Sequence, residues 1–220
     1  AEAKEIATFH PAEWGPGSVW TAGFSPEGTH IITGAHNGAW VWDVETGTAT
    51  HVLPRSHVQS VEFSPDGTRI LIKSPGPKGS RVTVWSRESG QRVRVFDTTA
   101  VRSAVFSPES GQVLTADEAN TARVWDIKTG KLLLTLHLHA ASLESAVFWC
   151  LGDRRRILTA SDDGTAKLWD FPSGRVLLTI DNQARLRSAM MSPSGTQILT
   201  TSWLTGSNAK DMVKLWSISA

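Results

Sequence analysis

The chain of 220 residues has no tyrosine, one cysteine and no apolar run approaching the length of a membrane helix. The lone Cys150 excludes an internal disulfide, so folding does not depend on an oxidising compartment. A helix that spans a bilayer needs roughly 20 apolar residues in succession, and no such run exists. No N-terminal stretch combines a basic start, an apolar middle and a small-residue cleavage site, so no secretory leader is expected. An excess of one charge is missing as well: 22 basic and 21 acidic residues leave a net charge of +1. Such a chain creates no field that would gather nucleic acid or an anionic membrane, so neither is expected as a partner. Together these absences lead to an expected cytoplasmic, intracellular setting. With 40% hydrophobic and 20% charged residues, the composition fits a folded domain rather than a disordered tail. What the chain has in excess is tryptophan, ten in all.

Half of the tryptophans fall in one repeated setting: Val41-Trp42-Asp43, Val84-Trp85-Ser86, Val124-Trp125-Asp126, Leu168-Trp169-Asp170 and Leu215-Trp216-Ser217. Their spacings are 43, 40, 44 and 47 residues. A second marker precedes each: Phe24-Ser25-Pro26, Phe63-Ser64-Pro65, Phe106-Ser107-Pro108, Phe148-Trp149-Cys150 and Met191-Ser192-Pro193. A third follows the first four Trp residues at a fixed offset: Gly47, Gly90, Gly130 and Gly174. Three markers in constant order make the chain one array, expected as a single domain over residues 1–220.

Within a unit, short apolar stretches alternate with turn signals. Residues 101–106 read as a strand, and Ser107-Pro108 opens a turn in which Gly111 is expected to take the positive φ. Ser64-Pro65-Asp66-Gly67 shows the same chemistry. Residues 112–116, 122–125 and 131–136 read as three further strands. Four short strands in about 40 residues, without a helical period, predict an all-β fold built of propeller blades.

With these motifs in hand, above all the Trp-Asp pair preceded by Asp163-Gly164-Thr165, the chain resembles the WD40-repeat family from Glu5 to Ile218. The resemblance implies a β-propeller in which Phe-Ser-Pro ends the innermost strand a and Trp lies on strand c. On that scheme the blades run over residues 18–53, 57–97, 100–138, 142–180 and 185–220 plus 3–10. The last unit lacks an outer strand, and residues 4–9 have the pattern of one. Five four-stranded blades closed by that N-terminal strand are therefore expected, with a monomer as the consequence. The rival reading is a portion of a larger propeller.

The family's blades carry a buried hydrogen-bond chain, needed because a buried indole N–H and its neighbours must all find partners. Only the fourth unit keeps every member: His139, Thr159 or Ser161, Asp163 and Trp169. Asp97 and Asn182 stand at the His position of units three and five, and Ala119 at the Asp position of unit three.

No catalytic residue, cofactor or metal is expected. His137 and His139 lack an accompanying Cys, Asp or Glu cluster at ligand spacing. Cys150 has no motif that supplies a base, and no glycine-rich loop joins a strand to a helix. Glu62 and Glu144 are the strand-a carboxylates, at non-equivalent positions. They sustain one alternative, a carbohydrate-binding or glycoside-processing propeller.

Function on a repeat scaffold is expected where the repeats differ. From the strand-b apolar residue to the strand-c Trp there are 10, 14, 11, 11 and 17 residues, so units two and five have extended b–c loops at 74–80 and 202–211. The connection at 10–18 is also long. These loops are expected to line one side of the top face, with Trp14, Trp20 and Trp203 among them. Gln59, Arg102, Glu144 and Arg187 match Trp20 in the repeat, and Lys210 lies in the last loop. This set is the expected site for a protein or peptide partner. The other reading of the three rings is that they pin the loops. Unit four carries an insert with Trp149 and Arg154-Arg155-Arg156, read either as a solvated basic turn or as a second patch for an acidic partner. Trp40 has no account beyond packing.

Overall fold

The computed structural model describes residues 5, 7–9, 19–53, 57–203 and 212–218. The chain divides into two compact units, Ala1–Asp97 and Thr98–Ala220. Among the described residues every regular element is a strand, and no helix is long and apolar enough to cross a membrane.

The first unit contains two antiparallel four-stranded sheets. One is formed in order by β1 (Val19–Phe24), β2 (His30–Ala35), β3 (Gly38–Asp43) and β4 (Ala49–Leu53). The other is formed by β5 (Ser60–Phe63), β6 (Arg69–Gly76), β7 (Gly79–Ser86) and β8 (Arg92–Thr98). The second unit contains three sheets. The first comprises β9 (Val101–Phe106), β10 (Gln112–Asp117), β11 (Ala122–Asp126) and β12 (Leu132–Leu136). The next comprises β13 (Leu143–Leu151), β14 (Arg154–Ser161), β15 (Thr165–Asp170) and β16 (Val176–Asp181). The last has three strands, β17 (Leu186–Met191), β18 (Gln197–Ser202) and β19 (Met212–Ser217). Of the expected N-terminal outer strand, residues 4 and 6 lie outside the described residues, and residues 5 and 7–9 carry no strand. Phe9 instead packs its ring 5.7 Å from that of Trp42.

The repeated motifs are turn chemistry. In four units the serine of the second marker accepts a hydrogen bond from the N–H five residues on: His30 to Ser25 at 3.0 Å, Arg69 to Ser64 at 2.9 Å, Gln112 to Ser107 at 3.1 Å and Gln197 to Ser192 at 3.1 Å. That bond closes the hairpin between the first two strands. The third residue after this serine takes a left-handed conformation, as Gly67 does at φ 69°. In the third unit that position is Ser110, at φ 60°, and not the expected Gly111. The count from the serine, rather than the nearest glycine, sets the strained residue. The aspartate after Trp closes the next turn: Asp43 accepts from the Thr46 N–H at 2.7 Å and Asp126 from the Thr129 N–H at 2.6 Å.

The expected loop at 74–80 and much of the unit-four insert, read as a turn or a patch, are paired strand. Residues 74–80 are the ends of β6 and β7, paired as far as Gly76 with Gly79, so only Pro77 and Lys78 form the turn. The insert of unit four likewise extends β13 and β14 into a hairpin turning at Gly152-Asp153, with Leu151 opposite Arg154. Both cases follow from pairing: a longer hairpin satisfies backbone groups that a loop would leave to water. Much of the expected loop at 202–211 lies outside the described residues.

Sheets bury their faces against their neighbours within each unit. Ile32, Ala39 and Val41 cluster with Val58, Val61, Phe63 and Ile70. Leu114, Ala116, Ala122 and Val124 cluster with Leu143, Ala146, Ile157 and Trp169. Leu158, Ala160, Ala166 and Leu168 cluster with Leu186, Ala189 and Ile198. Each pattern sets the middle strands of one sheet against the first strands of the next. Because Leu158 is wholly buried, Leu158→Ala should lower the unfolding free energy by about 2–5 kcal/mol, measured by urea denaturation.

Candidate functional site

The tryptophans of the repeat are tied to threonines. The indole N–H donates to the hydroxyl of Thr33 from Trp42 at 2.9 Å, of Thr115 from Trp125 at 3.1 Å, of Thr159 from Trp169 at 2.9 Å and of Thr200 from Trp216 at 2.9 Å. These threonines occupy one register position on the second strand of their sheets. In the second sheet that position is Ile72, and Trp85 donates instead to Thr83 on its own strand at 3.0 Å. The repeat therefore retains more of the polar chain than partner loss at the His and Asp positions implied.

In the fourth sheet the chain is longest. His139 Nδ1 lies 2.9 Å from an Asp163 carboxylate oxygen, and its Nε2 lies 2.8 Å from the Thr159 hydroxyl. Neutral imidazole satisfies both contacts, with Nδ1–H donating to Asp163 and Nε2 accepting from Thr159. Asp163 also accepts from the Ala140 N–H at 2.8 Å, and from the Thr165 N–H and hydroxyl at 2.8 and 2.7 Å. Ser161 serves the neighbouring backbone instead. Its hydroxyl lies 3.0 Å from the Ala141 carbonyl and 2.9 Å from that of Ser142, and it accepts the Asp163 N–H at 3.1 Å. In the last sheet Asn182 stands in for the histidine and accepts from Thr200 at 3.1 Å. The third sheet builds a different knot that sequence reasoning missed. Asp117 is buried and accepts from Thr121 at 2.8 and 3.0 Å and from Thr99 at 3.2 Å, with the Arg123 guanidinium paired to it. The pairing of Asp117 with Thr121 and Arg123 on one hairpin was the available signal.

The expected partner residues fall in both units. Trp14 and Lys210 lie outside the described residues. In the first unit, Trp20 is exposed on β1 with its ring 6.3 Å from that of His57, and Gln59 is exposed while its N–H bonds to the Lys73 carbonyl at 2.8 Å. In the second unit four residues come together. Arg102 on β9 pairs with Glu144 on β13 at 3.5 Å and with Glu118 at 2.9 Å. Ser142 donates to Glu144 at 3.1 Å. Arg187 on β17 lies over the Trp203 ring at 4.7 Å from its centroid. Trp203 is 47% exposed, yet its backbone is fixed by an N–H bond to the Arg185 carbonyl at 2.9 Å. Arg102, Glu144, Asp162, Arg185 and Trp203 line one cleft of about 290 Å³. Sequence comparison did not single out Glu118, Asp162 or Arg185. They precede or follow marked positions and become neighbours only through sheet packing. Glu62 and Glu144 fall in different units.

The unit-four insert is structural in its main contacts. Trp149 donates to the Ser192 carbonyl at 3.1 Å, Arg156 lies 5.6 Å from its ring, and Arg155 sits 4.6 Å from the Phe171 centroid and pairs with Glu109 at 3.1 Å. Trp40 is buried beside Ala35 and Trp42. Burial pushes the Cys150 thiol above its ordinary value, with Glu109 adding to the effect. Among the described residues no group of three or more His, Cys, Asp or Glu side chains could hold a metal ion.

The buried chain sets a pH dependence. Burial pushes the Asp163 carboxyl up, but the bonds from Thr165, Ala140 and His139 outweigh it and hold the group at about 2 against an ordinary 3.8. Burial lowers His139 below its ordinary 6.5 despite the neighbouring Asp163. Both folded-state values are depressed, so both contributions are complete above the unfolded values and are lost on acidification. Stability should therefore fall as pH drops below about 6.5 through His139, and again between about 4 and 2 through Asp163. Urea titrations across that range test this, and His139→Gln should flatten the upper step. Asp163→Ala should cost about 1–3 kcal/mol, because it strands buried donors; an unchanged urea midpoint would refute the account.

The family model described as WD domain, G-beta repeat matches residues 4–43, 90–126 and 130–170. A stretch of 71 residues is 39% identical to eukaryotic translation initiation factor 3 subunit I of Pyricularia oryzae, covering 31% of this chain and 20% of that protein. A stretch of 58 residues is 41% identical to the subunit of the same name from Kluyveromyces lactis, covering 26% of this chain and 17% of that protein. The chain thus spans about a fifth of the length of these relatives. The family match extends over more than half of the chain and agrees with its antiparallel four-stranded sheets and Trp–Thr ties. The chain belongs to the WD domain, G-beta repeat family.

Proposed function

We propose that the chain is a non-catalytic platform that binds a protein or peptide at the cleft beside Trp203. The observation that carries this reading is the Trp203 ring itself. It is half exposed, fixed at its backbone, backed by Arg187 and set at the rim of a cleft with two arginines and two carboxylates. A large ring held rigid in the unbound state loses little entropy on contact, and Trp and Arg dominate binding energy at protein interfaces. The mixed charges of Arg102, Glu144, Asp162 and Arg185 suit the alternating donors and acceptors of a polypeptide. A surface built for one ion would carry one sign. The Glu144 carboxylate is engaged by Arg102 and Ser142, which ties it to this surface rather than to bond cleavage. The relatives carry the name of a subunit, which supports a protein as the partner.

Peptides selected from a random display library against the immobilised chain test the reading. Trp203→Ala should weaken their binding about ten- to hundredfold while the urea unfolding midpoint stays unchanged. Undiminished binding by both Trp203→Ala and Arg187→Ala would remove the site.

A further inference from the structure

Two positions of the repeat meet where one sheet packs on the next. In the second unit they hold Asp162, which opens the turn between β14 and β15, and Arg185, which lies ahead of β17. Those two side chains form an ion pair at 3.8 Å. In the first unit the same positions hold His36, which opens the turn between β2 and β3, and His57, which lies ahead of β5. Their ring centroids are 5.0 Å apart. Where one junction carries opposite charges, the other carries two imidazoles.

Both imidazoles stand on fixed backbone. Ala35 pairs with Gly38, which places His36 in a two-residue turn. The Val58 N–H donates to the Ala35 carbonyl at 3.1 Å, so the residues beside the two histidines are tied to each other. Ala35 and Val58 are buried, whereas both histidines are exposed. Among the described residues neither ring makes a hydrogen bond or an ion pair, so their nitrogens are not committed to the fold. His30 and His139 differ in this respect: His30 Nδ1 lies 2.9 Å from the Thr29 hydroxyl, and His139 is held by Asp163 and Thr159. The two free rings are tilted by 49°, between the parallel and edge-on arrangements that aromatic pairs favour. Their spacing has another match. A metal ion about 2.0–2.1 Å from one nitrogen of each ring, at a tetrahedral angle, sets the two centroids about 5 Å apart.

We propose that His36 and His57 form a two-imidazole chelate for a divalent transition-metal ion of the zinc, nickel or copper(II) class. Imidazole nitrogen suits these ions, whereas magnesium and calcium take oxygen ligands. The two side chains supply two ligands, and water or a donor from another molecule completes the coordination. The site lies within the first unit and is independent of the Trp203 cleft. It departs from the expectation that the chain holds no metal, which rested on His137 and His139.

Isothermal titration of the full chain with zinc chloride at pH 7.5 tests the proposal. The wild-type chain should bind one zinc ion with a Kd of about 1–100 μM. His36→Gln and His57→Gln should each weaken this binding at least about tenfold, because each leaves a single imidazole. Both replace exposed side chains, so the urea midpoint should not move. His137→Gln removes an exposed histidine outside the pair and should leave the affinity as it was. Saturable zinc binding that is absent below about 1 mM would overturn the proposal. Folded His36→Gln and His57→Gln variants that bind zinc as the wild type does would overturn it as well.

Discussion

The sheets of each unit carry apolar faces, and the hydrophobic effect requires that such faces be covered. That requirement organises the rest. A single strand pair cannot meet it, and a single blade cannot either, so stability comes from stacking. The interior positions reflect this. Ile32, Leu114 and Leu158 lie on middle strands and are wholly buried, because such a strand has paired neighbours on both edges and packs against the adjacent sheet of its own unit. Polar chemistry is admitted to these layers only where it is self-satisfied. The Trp–Thr tie is the smallest such unit. It matches one donor to one acceptor, and the indole face still packs as an apolar surface.

The same constraint explains what could be read from the sequence. The Trp, Ser-Pro and Gly markers recur because each fixes a piece of one repeated turn or tie, and period alone is enough to find them. Four-stranded units, their order and most strand bounds were legible for that reason. Contacts that cross between repeats were not. Asp162, Arg185 and Glu118 carry no periodic signal, and only the stacking of first strands brings them beside Arg102 and Trp203. The unit-two insertion was visible as length but not as shape. Two prolines and two glycines in residues 74–80 read as loop, yet the backbone pairing continues to Gly76 and Gly79. Ser110 escaped notice because a neighbouring glycine offered a plausible host for the strained residue.

The charged cleft differs in kind from the buried chains. His139, Thr159 and Asp163 are each satisfied inside one sheet and leave nothing to offer a ligand. Around Trp203 the ion pairs are partly hydrated and the ring is presented outward. Hydrated pairs contribute little to stability and can exchange partners at low cost. A scaffold whose interior is rigid can thus keep a surface whose charges rearrange.

Gly195 lies under the Trp149 ring, and a methyl group placed on it would sit 2.4 Å from a ring carbon. Its left-handed backbone already favours glycine. The ring adds a second prohibition, imposed by another repeat. At Gly28 the same turn position meets open space, so only the backbone speaks there. The repeats look interchangeable along the sequence, but here two of them have become a lock and its key. Position 195 cannot grow while the ring stays, so a path that enlarges it must first shrink position 149.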